Sequence, residues 1–228
     1  MKIAAFDTSS KALTLAILED ETLLAQMTLN IKKNHSITLM PAIDFLMNSL
    51  DMKPTDLDRI VVARGPGSYT GLRIAVATAK TLAHTLKIEL VGVSSLLALV
   101  PEQAEGLVIP IVDARRNNVY AGFYRSGQAV RPEAHLPLAE VLEMAGAANQ
   151  PVTFVGETAA FAEQIESALP QAAIQPTLPD AAVIGRLGLD LPAQSIHDFV
   201  PNYLKRVEAE ENWLKTHQES SDSYIRRL

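Results

Sequence analysis

The sequence predicts an α/β protein built from two related halves, and three observations carry that expectation. A strand, an acidic turn and a returning strand open the chain at Lys2 to Leu18, and the same pattern recurs at Leu107 to Tyr124. Between the two copies, an apolar segment beginning at Arg59 runs through a turn holding three of the chain's eleven glycines, Gly65, Gly67 and Gly71, and straight into an alanine-rich helical stretch. At 228 residues and 48% hydrophobic, the chain has ample apolar material for two such units.

Strands over Lys2 to Phe6, Ala12 to Leu18 and Thr22 to Leu29 are separated by Asp7-Thr8-Ser9-Ser10 and Glu19-Asp20-Glu21, residue types that favour turns. A helix over about Ser36 to Leu50 places Leu39, Ile43, Leu46 and Leu50 on an inward line, while Ile37, Met40, Phe45 and Met47 extend its apolar surface nearly all the way round. Only Pro41, Asp44 and Asn48 interrupt it, so the helix needs cover on most sides, from this chain or from a partner. Pro41 removes one helical hydrogen bond and either bends the helix or delays its start. The next helix, Thr70 to Lys87, is simpler. Leu72, Ala75, Val76, Ala79, Leu82, Ala83 and Leu86 share one face at helical spacing and read as core, opposite Arg73, Ala77, Lys80, Thr81, His84 and Lys87.

In the second half, Leu107 to Val112 leads into Asp113 to Asn118, and Val119 to Tyr124 returns. An ungapped alignment of Asp7 with Asp113 pairs Phe6 with Val112, Leu13 with Val119, Leu15 with Ala121 and Ile17 with Phe123. Beyond Arg125, helices over Pro137 to Ala145 and Ala159 to Leu169 flank a buried strand, Val152 to Val155, that ends at Gly156. Asp180 caps a further helix through Leu189. Pro201 to Arg206 is extended, Glu208, Glu210 and Glu211 surround Trp213, and the polar last ten residues are expected to be mobile.

The glycine turn is the strongest chemical signal. Glycine lets the backbone bend sharply and admits a close neighbour, and the N–H groups at a helix start favour an anion by about 0.3–1 kcal/mol. Gly65, Gly67, Ser68 and Thr70 are therefore candidate anion contacts, with neighbouring backbone as the plainer occupant. A phosphate-binding P-loop is excluded, because no Gly-Lys-Ser/Thr follows at the required spacing. A dinucleotide fingerprint fits poorly: the spacing is Gly-x-Gly-x-x-x-Gly, and Glu89 is the only acid in range to hold a ribose. None of the five histidines has metal-ligand spacing, and no motif marks a covalent nucleophile. Asp7 and Asp113 stand at strand ends, where α/β sheets place ligands and where aspartates also cap turns.

A net charge of −6 argues against strong autonomous nucleic-acid binding. The adjacent basic residues Lys32-Lys33, Arg115-Arg116 and Arg226-Arg227, among others, are each readable as a solvated loop or a ligand contact. Without cysteine there is no disulfide or zinc–sulfur site, and a cytoplasmic address is expected. Leu90 to Val100 is too short to cross a bilayer, and the N-terminus reaches Asp7 after too few apolar residues to act as a signal peptide, so no membrane association is expected.

Asp7-Thr-Ser-Ser, His35-Ser-Ile-Thr-Leu-Met-Pro41, Arg64-Gly-Pro-Gly-Ser-Tyr-Thr-Gly-Leu-Arg73, Val91-Gly-Val-Ser-Ser95, Asp113-Ala-Arg and Pro201-x-Tyr-Leu together resemble the TsaB (YeaZ) family. The resemblance implies the actin-like ATPase (ribonuclease H-like) fold. That fold is α/β, with two subdomains each holding a mixed sheet flanked by helices: here residues 1–103 and 104–206, then a charged tail, 207–228, free to pack back on the first. It also implies a non-catalytic scaffold for the transferase TsaD, with the ATPase TsaE, in making threonylcarbamoyladenosine next to the tRNA anticodon, tRNA being reached only through the complex. The partner surface would come from the first two helices: His35, Leu39, Met40, Ile43, Met47, Tyr69, Arg73, Ala77 and Lys80. The same surface would pair two copies as a homodimer.

ATPases of that fold hold phosphates on Asp-x-Gly turns, but here Thr8-Ser9 and Ala114-Arg115 follow Asp7 and Asp113 without glycine. A nucleotide in the chain's own cleft is therefore disfavoured and no cofactor is expected, a nucleotide shared at the partner interface staying open. TsaD carries a Val-Asn-His-Leu-Glu-Gly-His metal motif. Matching Val93 to its valine puts Ser95 and Leu99 at the two histidines, so neither a metal site nor a catalytic residue is expected. The alternative is a small ATP-dependent kinase or phosphotransferase of the same fold that uses Asp7 and Asp113.

Overall fold

The computed structural model describes residues 1–31, 34–101 and 103–205. The first sheet comprises β1 (Lys2–Asp7), β2 (Leu13–Glu19), β3 (Thr22–Leu29), β4 (Arg59–Ala63) and β5 (Glu89–Val93), in the spatial order β3-β2-β1-β4-β5. β1, β2 and β3 form an antiparallel meander, whereas β4 and β5 join β1 in parallel. β1 and β2 are apolar on both faces because both are covered. Phe6, Leu13, Leu15 and Ile17 pack under helices α1 (His35–Ser49) and α2 (Tyr69–Leu86), while Ile3, Ala5, Ala16 and Leu18 pack against helix α5 (Ala181–Leu187).

The second sheet repeats this plan with β6 (Leu107–Asp113), β7 (Asn118–Arg125), β8 (Gln128–Pro137), β9 (Val152–Gly156) and β10 (Ala173–Pro176), in the order β10-β9-β6-β7-β8. Counted from the first strand of each half, the order is the same 3-2-1-4-5, with the meander antiparallel and the last two strands parallel. Helices α3 (Leu138–Gly146) and α4 (Ala162–Ala168) cover its outer face over Ile109, Ile111, Val119, Ala121 and Phe123. Two mixed sheets of this order, flanked by helices, make the actin-like α/β architecture.

The repeat is real, but its ungapped register slips by one residue. Phe6 opposes Leu15 in the first core, and its counterpart in the second is Ile111 opposing Ala121. Val112, which the alignment matched to Phe6, points to the other face and packs with Leu96, Leu99 and Val100. A one-residue shift reverses every side chain on a strand, so Asp7 and Asp113 end their strands on opposite faces.

Three elements of the second half differ from the sequence reading. β8 and β10 carry no sequence signal because both are largely exposed, and β8 contains Pro132 at a sheet edge. α4 is shorter than expected, starting only at Ala162.

After β10 the chain returns to the first sheet. Asp180 caps α5 by accepting the Ala182 and Val183 N–H groups, and α5 settles over β1 and β2. The buried Arg59 then fixes the departing segment, its Nη1 donating to the carbonyls of Gly188 (2.6 Å), Leu189 (2.7 Å) and Leu191 (3.1 Å). Its Nε donates to Glu89 Oε2 at 2.8 Å, so the one acid in range for a ribose serves as an internal counter-ion. The span 104–206 thus includes a segment that packs on the first sheet, whereas the tail 207–228, with Glu208 to Trp213 and Arg226-Arg227, lies outside the described residues, as do Lys32 and Lys33. Among the described residues no helix is long and apolar enough to cross a membrane.

Candidate partner surface and the cleft between the sheets

The glycine turn joins β4 to α2, and this chain's own backbone occupies it from three directions. A Cβ on Gly71 would lie 1.9 Å from the Thr8 carbonyl oxygen, and one on Gly67 would lie 2.5 Å from that of Ser9. Gly65, at φ 123°, faces the carbonyl of Asn202, 2.5 Å from where its Cβ would be. The hydrogen bonds follow the same contacts. Ser68 N–H donates to Ser9 O (2.7 Å), Thr8 Oγ1 to Gly71 O (2.7 Å), Gly65 N–H to Ser95 Oγ (3.1 Å) and Asn202 N–H to Arg64 O (2.7 Å). Ser68 caps α2 by accepting the Gly71 N–H. Of the candidate anion contacts Gly65, Gly67, Ser68 and Thr70, the N–H groups of Gly65 and Ser68 are therefore already committed inside the chain.

The two acidic turns face a cleft of about 370 Å³ lined by Ser9, Lys11, Tyr69, Asp113, Arg115 and Lys205 among others. Asp7 does not line it. That carboxylate is fully buried and accepts Ser9 N–H (2.6 Å) and the Ser9 hydroxyl (3.0 Å); burial pushes its pKa up to about 6, against the lowering effect of those bonds. Asp113 is partly exposed and accepts the N–H of Arg115 (2.8 Å) and its guanidinium (3.3 Å). Arg115, Arg116 and Asn117 all take left-handed backbone, at φ 70°, 54° and 58°. Asn118 Nδ2 braces that run by donating to the carbonyls of Arg115 (3.2 Å) and Arg116 (3.0 Å). Neither turn offers a glycine-lined approach to a phosphate.

Beside the glycine turn, α1 and α2 present an exposed face. Asn34 caps α1, and Pro41 lies within the helix rather than delaying it. Ile37 (68% exposed), Met40 (47%) and Phe45 (59%) stand in solvent on the outer side of α1, and Arg73 and Ala77 are exposed on the neighbouring α2. At the start of α2, Arg73 stacks its guanidinium 4.5 Å from the Tyr69 ring centroid, and Tyr69 in turn stacks on Tyr203 at 5.0 Å.

The family model described as "TsaD: tRNA N6-adenosine threonylcarbamoyltransferase" matches residues 22–213. A Bacillus subtilis (strain 168) protein named tRNA threonylcarbamoyladenosine biosynthesis protein TsaB is 42% identical over 227 residues, covering 95% of this chain and 99% of the relative. The chain belongs to the TsaB family. An Escherichia coli (strain K12) TsaB is 30% identical over 129 residues, 55% of each chain. A Pseudomonas aeruginosa crystal structure described as an uncharacterized protein with similarity to peptidase YEAZ superposes with a TM-score of 0.77 at 27% identity, covering 90% of this chain and 99% of that one.

In this TsaB-family chain the expected partner residues divide into two groups. Met40 is exposed on α1, and Tyr69, Arg73 and Ala77 are exposed at successive turns of α2. Leu39, Ile43 and Met47 are buried in the first core, which corrects their place on a partner surface: they face β2 and α2, and Phe45 and Ile37 hold the outward positions instead. His35 is half-buried, its Nε2 donating to the Ser10 carbonyl at 3.0 Å. Lys80 is also spent internally, donating to the carbonyls of His197 (3.0 Å) and Phe199 (2.9 Å). Tyr203 was missed; its only signal was the Pro-x-Tyr-Leu segment, which gives no hint of a contact with α2. Ser95 is tied to Gly65 in both directions, and Leu99 packs on the second sheet with Val108, Val112 and Val155. Among the described residues no three His, Cys, Asp or Glu side chains converge as metal ligands.

Proposed function

We propose that the chain serves tRNA threonylcarbamoyladenosine formation as a non-catalytic subunit that docks the transferase TsaD through the outer faces of α1 and α2, with the ATPase TsaE joining the same assembly. Membership of the TsaB family supports a part in that tRNA modification, and the transferase-family model spanning most of the chain supports common descent with TsaD. The observation that carries the docking role is the exposure of three large apolar side chains, Ile37, Met40 and Phe45, on one helix. Large side chains grouped in this way gain by being covered, and a helix of similar design on the transferase would cover them. Two copies of this chain would use the same face in the absence of TsaD.

The non-catalytic role is supported by Ser95 and Leu99, both engaged in internal packing, and by the two glycine-free turns. The division at residue 103 and a nucleotide shared with the partner belong to the same proposal.

Co-purification of the full chain with TsaD from the same source tests it. Phe45→Asp is expected to weaken the complex at least about tenfold while leaving the thermal unfolding of the isolated chain unchanged, as expected for a central interface side chain. Undiminished co-purification would remove α1 from the interface. Met47→Glu cannot serve, because Met47 is in the core. Saturable ATP binding by the isolated chain, lost on Asp113→Ala, would instead favour a phosphotransferase.

A further inference from the structure

The segment after α5 does more than close the first core. It is anchored at successive points: Gln194 N–H donates to Leu90 O (2.8 Å), Lys80 Nζ holds the carbonyls of His197 and Phe199, Phe199 is buried against Gly92, and Asn202 N–H donates to Arg64 O. The crossing at Asn202 is possible only because Gly65 lacks a Cβ. The next residue, Tyr203, is thereby delivered onto Tyr69, and the pair adjoins Arg73: its guanidinium lies over the Tyr69 ring, and the two neighbouring phenols favour its charged form. Both rings and the guanidinium are exposed, and among the described residues no carboxylate forms an ion pair with Arg73.

We propose that Tyr69, Arg73 and Tyr203 form a preorganised receptor for a carboxylate side chain of the partner transferase, with the C-terminal segment as a structural part of the docking surface. This rests on the docking role proposed above. A guanidinium resting on an aromatic ring has given up part of its rotamer freedom before binding. Its outward N–H groups form a fork whose geometry matches a carboxylate bidentately. Ile37, Met40 and Phe45 are exposed on the helix packed beside α2, so apolar anchors and an Arg/Tyr hot spot are available on neighbouring helices. The two helices carry one acid, Asp44, against Arg73 and Lys80, so a partner carboxylate meets little repulsion on this face.

The test is calorimetric titration of the full chain with TsaD from the same source at two salt concentrations, with unfolding of each variant measured alongside. Arg73→Met, which keeps the length and removes the charge, is expected to weaken binding about 10- to 100-fold and to flatten the salt dependence. Arg73→Lys should recover only part of the loss, because the ammonium lacks the fork, and Tyr203→Ala should cost several-fold through lost preorganisation. Wild-type affinity in Arg73→Met, alongside a weakened Phe45→Asp, would overturn the receptor and leave the docking face standing; wild-type affinity in Phe45→Asp would overturn the face itself. The proposal also fails if Arg73→Met spares TsaD binding and changes only self-association of this chain, or only retention of tRNA by the complex, since the guanidinium would then be reading a second copy or a phosphate.

Discussion

The turn that ends β1 and the turn that ends β6 hold equivalent places in two sheets of one topology, yet the first is a packing centre and the second an open loop under backbone strain. Around Asp7, polar groups are spent on neighbours: the carboxylate on Ser9, the Thr8 hydroxyl on Gly71, and the Ser9 carbonyl on Ser68. Around Asp113, three consecutive residues sit in left-handed backbone at about 1 kcal/mol each, and Asn118 side-chain bonds offset part of that cost. The difference shows how a duplicated unit diverges without losing its sheet. The first turn packs against a close helix start, and the second is an exposed loop facing the cleft.

Gly71→Ala attacks the sealed turn and should have the largest effect. The new methyl would sit 1.9 Å from a backbone oxygen that no rotamer change can move, so α2 must shift away from β1. A loss of at least about 3 kcal/mol is expected in denaturant unfolding. A loss below about 1 kcal/mol would show that the helix start can slide and that the turn is not a packing centre.

Asp7→Asn sharpens the same point through pH. The Asp7 carboxyl, with its pKa lifted to about 6 by burial, binds its proton more tightly in the folded chain than in the unfolded one, where the value is about 3.9. Folded protein therefore holds more protons between about pH 4 and 6, and stability falls as pH rises through that window, by about 3 kcal/mol for this group, then levels off. Asp7→Asn should remove that slope and leave the variant the more stable protein above pH 6. An unchanged slope in thermal unfolding across this range would mean that water reaches the carboxylate.

The smallest effect belongs to the open turn. Arg115→Gly replaces a side chain at φ 70° and gives up only an exposed ion pair with Asp113, so a gain of up to about 1 kcal/mol in unfolding free energy is expected. A loss instead would show that the Arg115–Asp113 contact outweighs the strain. The two turns would then be alike in being held by their side chains.

Much of the fold was legible because it is local. The strand–turn–strand repeat, the Asp180 cap and the core line of α2 follow from alternation, helical spacing and capping chemistry, and each is present, the repeat with its leading strand one residue out of the ungapped register. The exposed strands β8 and β10 were not legible, since an edge strand with neither face buried leaves no hydrophobic alternation to read. The partner surface was half legible. α1 is apolar nearly all round, so its sequence named the helix but could not say which side the sheet takes; the structure gives Leu39, Ile43 and Met47 to the core and leaves Ile37, Met40 and Phe45 outside.

The three glycines mark the clearest boundary between the two kinds of information. Their residue type already made room for a close neighbour at the β4–α2 turn, because an absent Cβ is a property of the chain itself. Which neighbours arrive was decided only by assembly. Thr8 and Ser9 come from a turn some sixty positions earlier, as the Thr8–Gly71 separation of 63 shows, and Asn202 arrives after the chain has built a second sheet and returned. Contacts between segments so far apart depend on how both sheets pack, and no local pattern records that. The same return sets Tyr203 on Tyr69 and turns a solitary arginine on α2 into a fixed, outward-facing group.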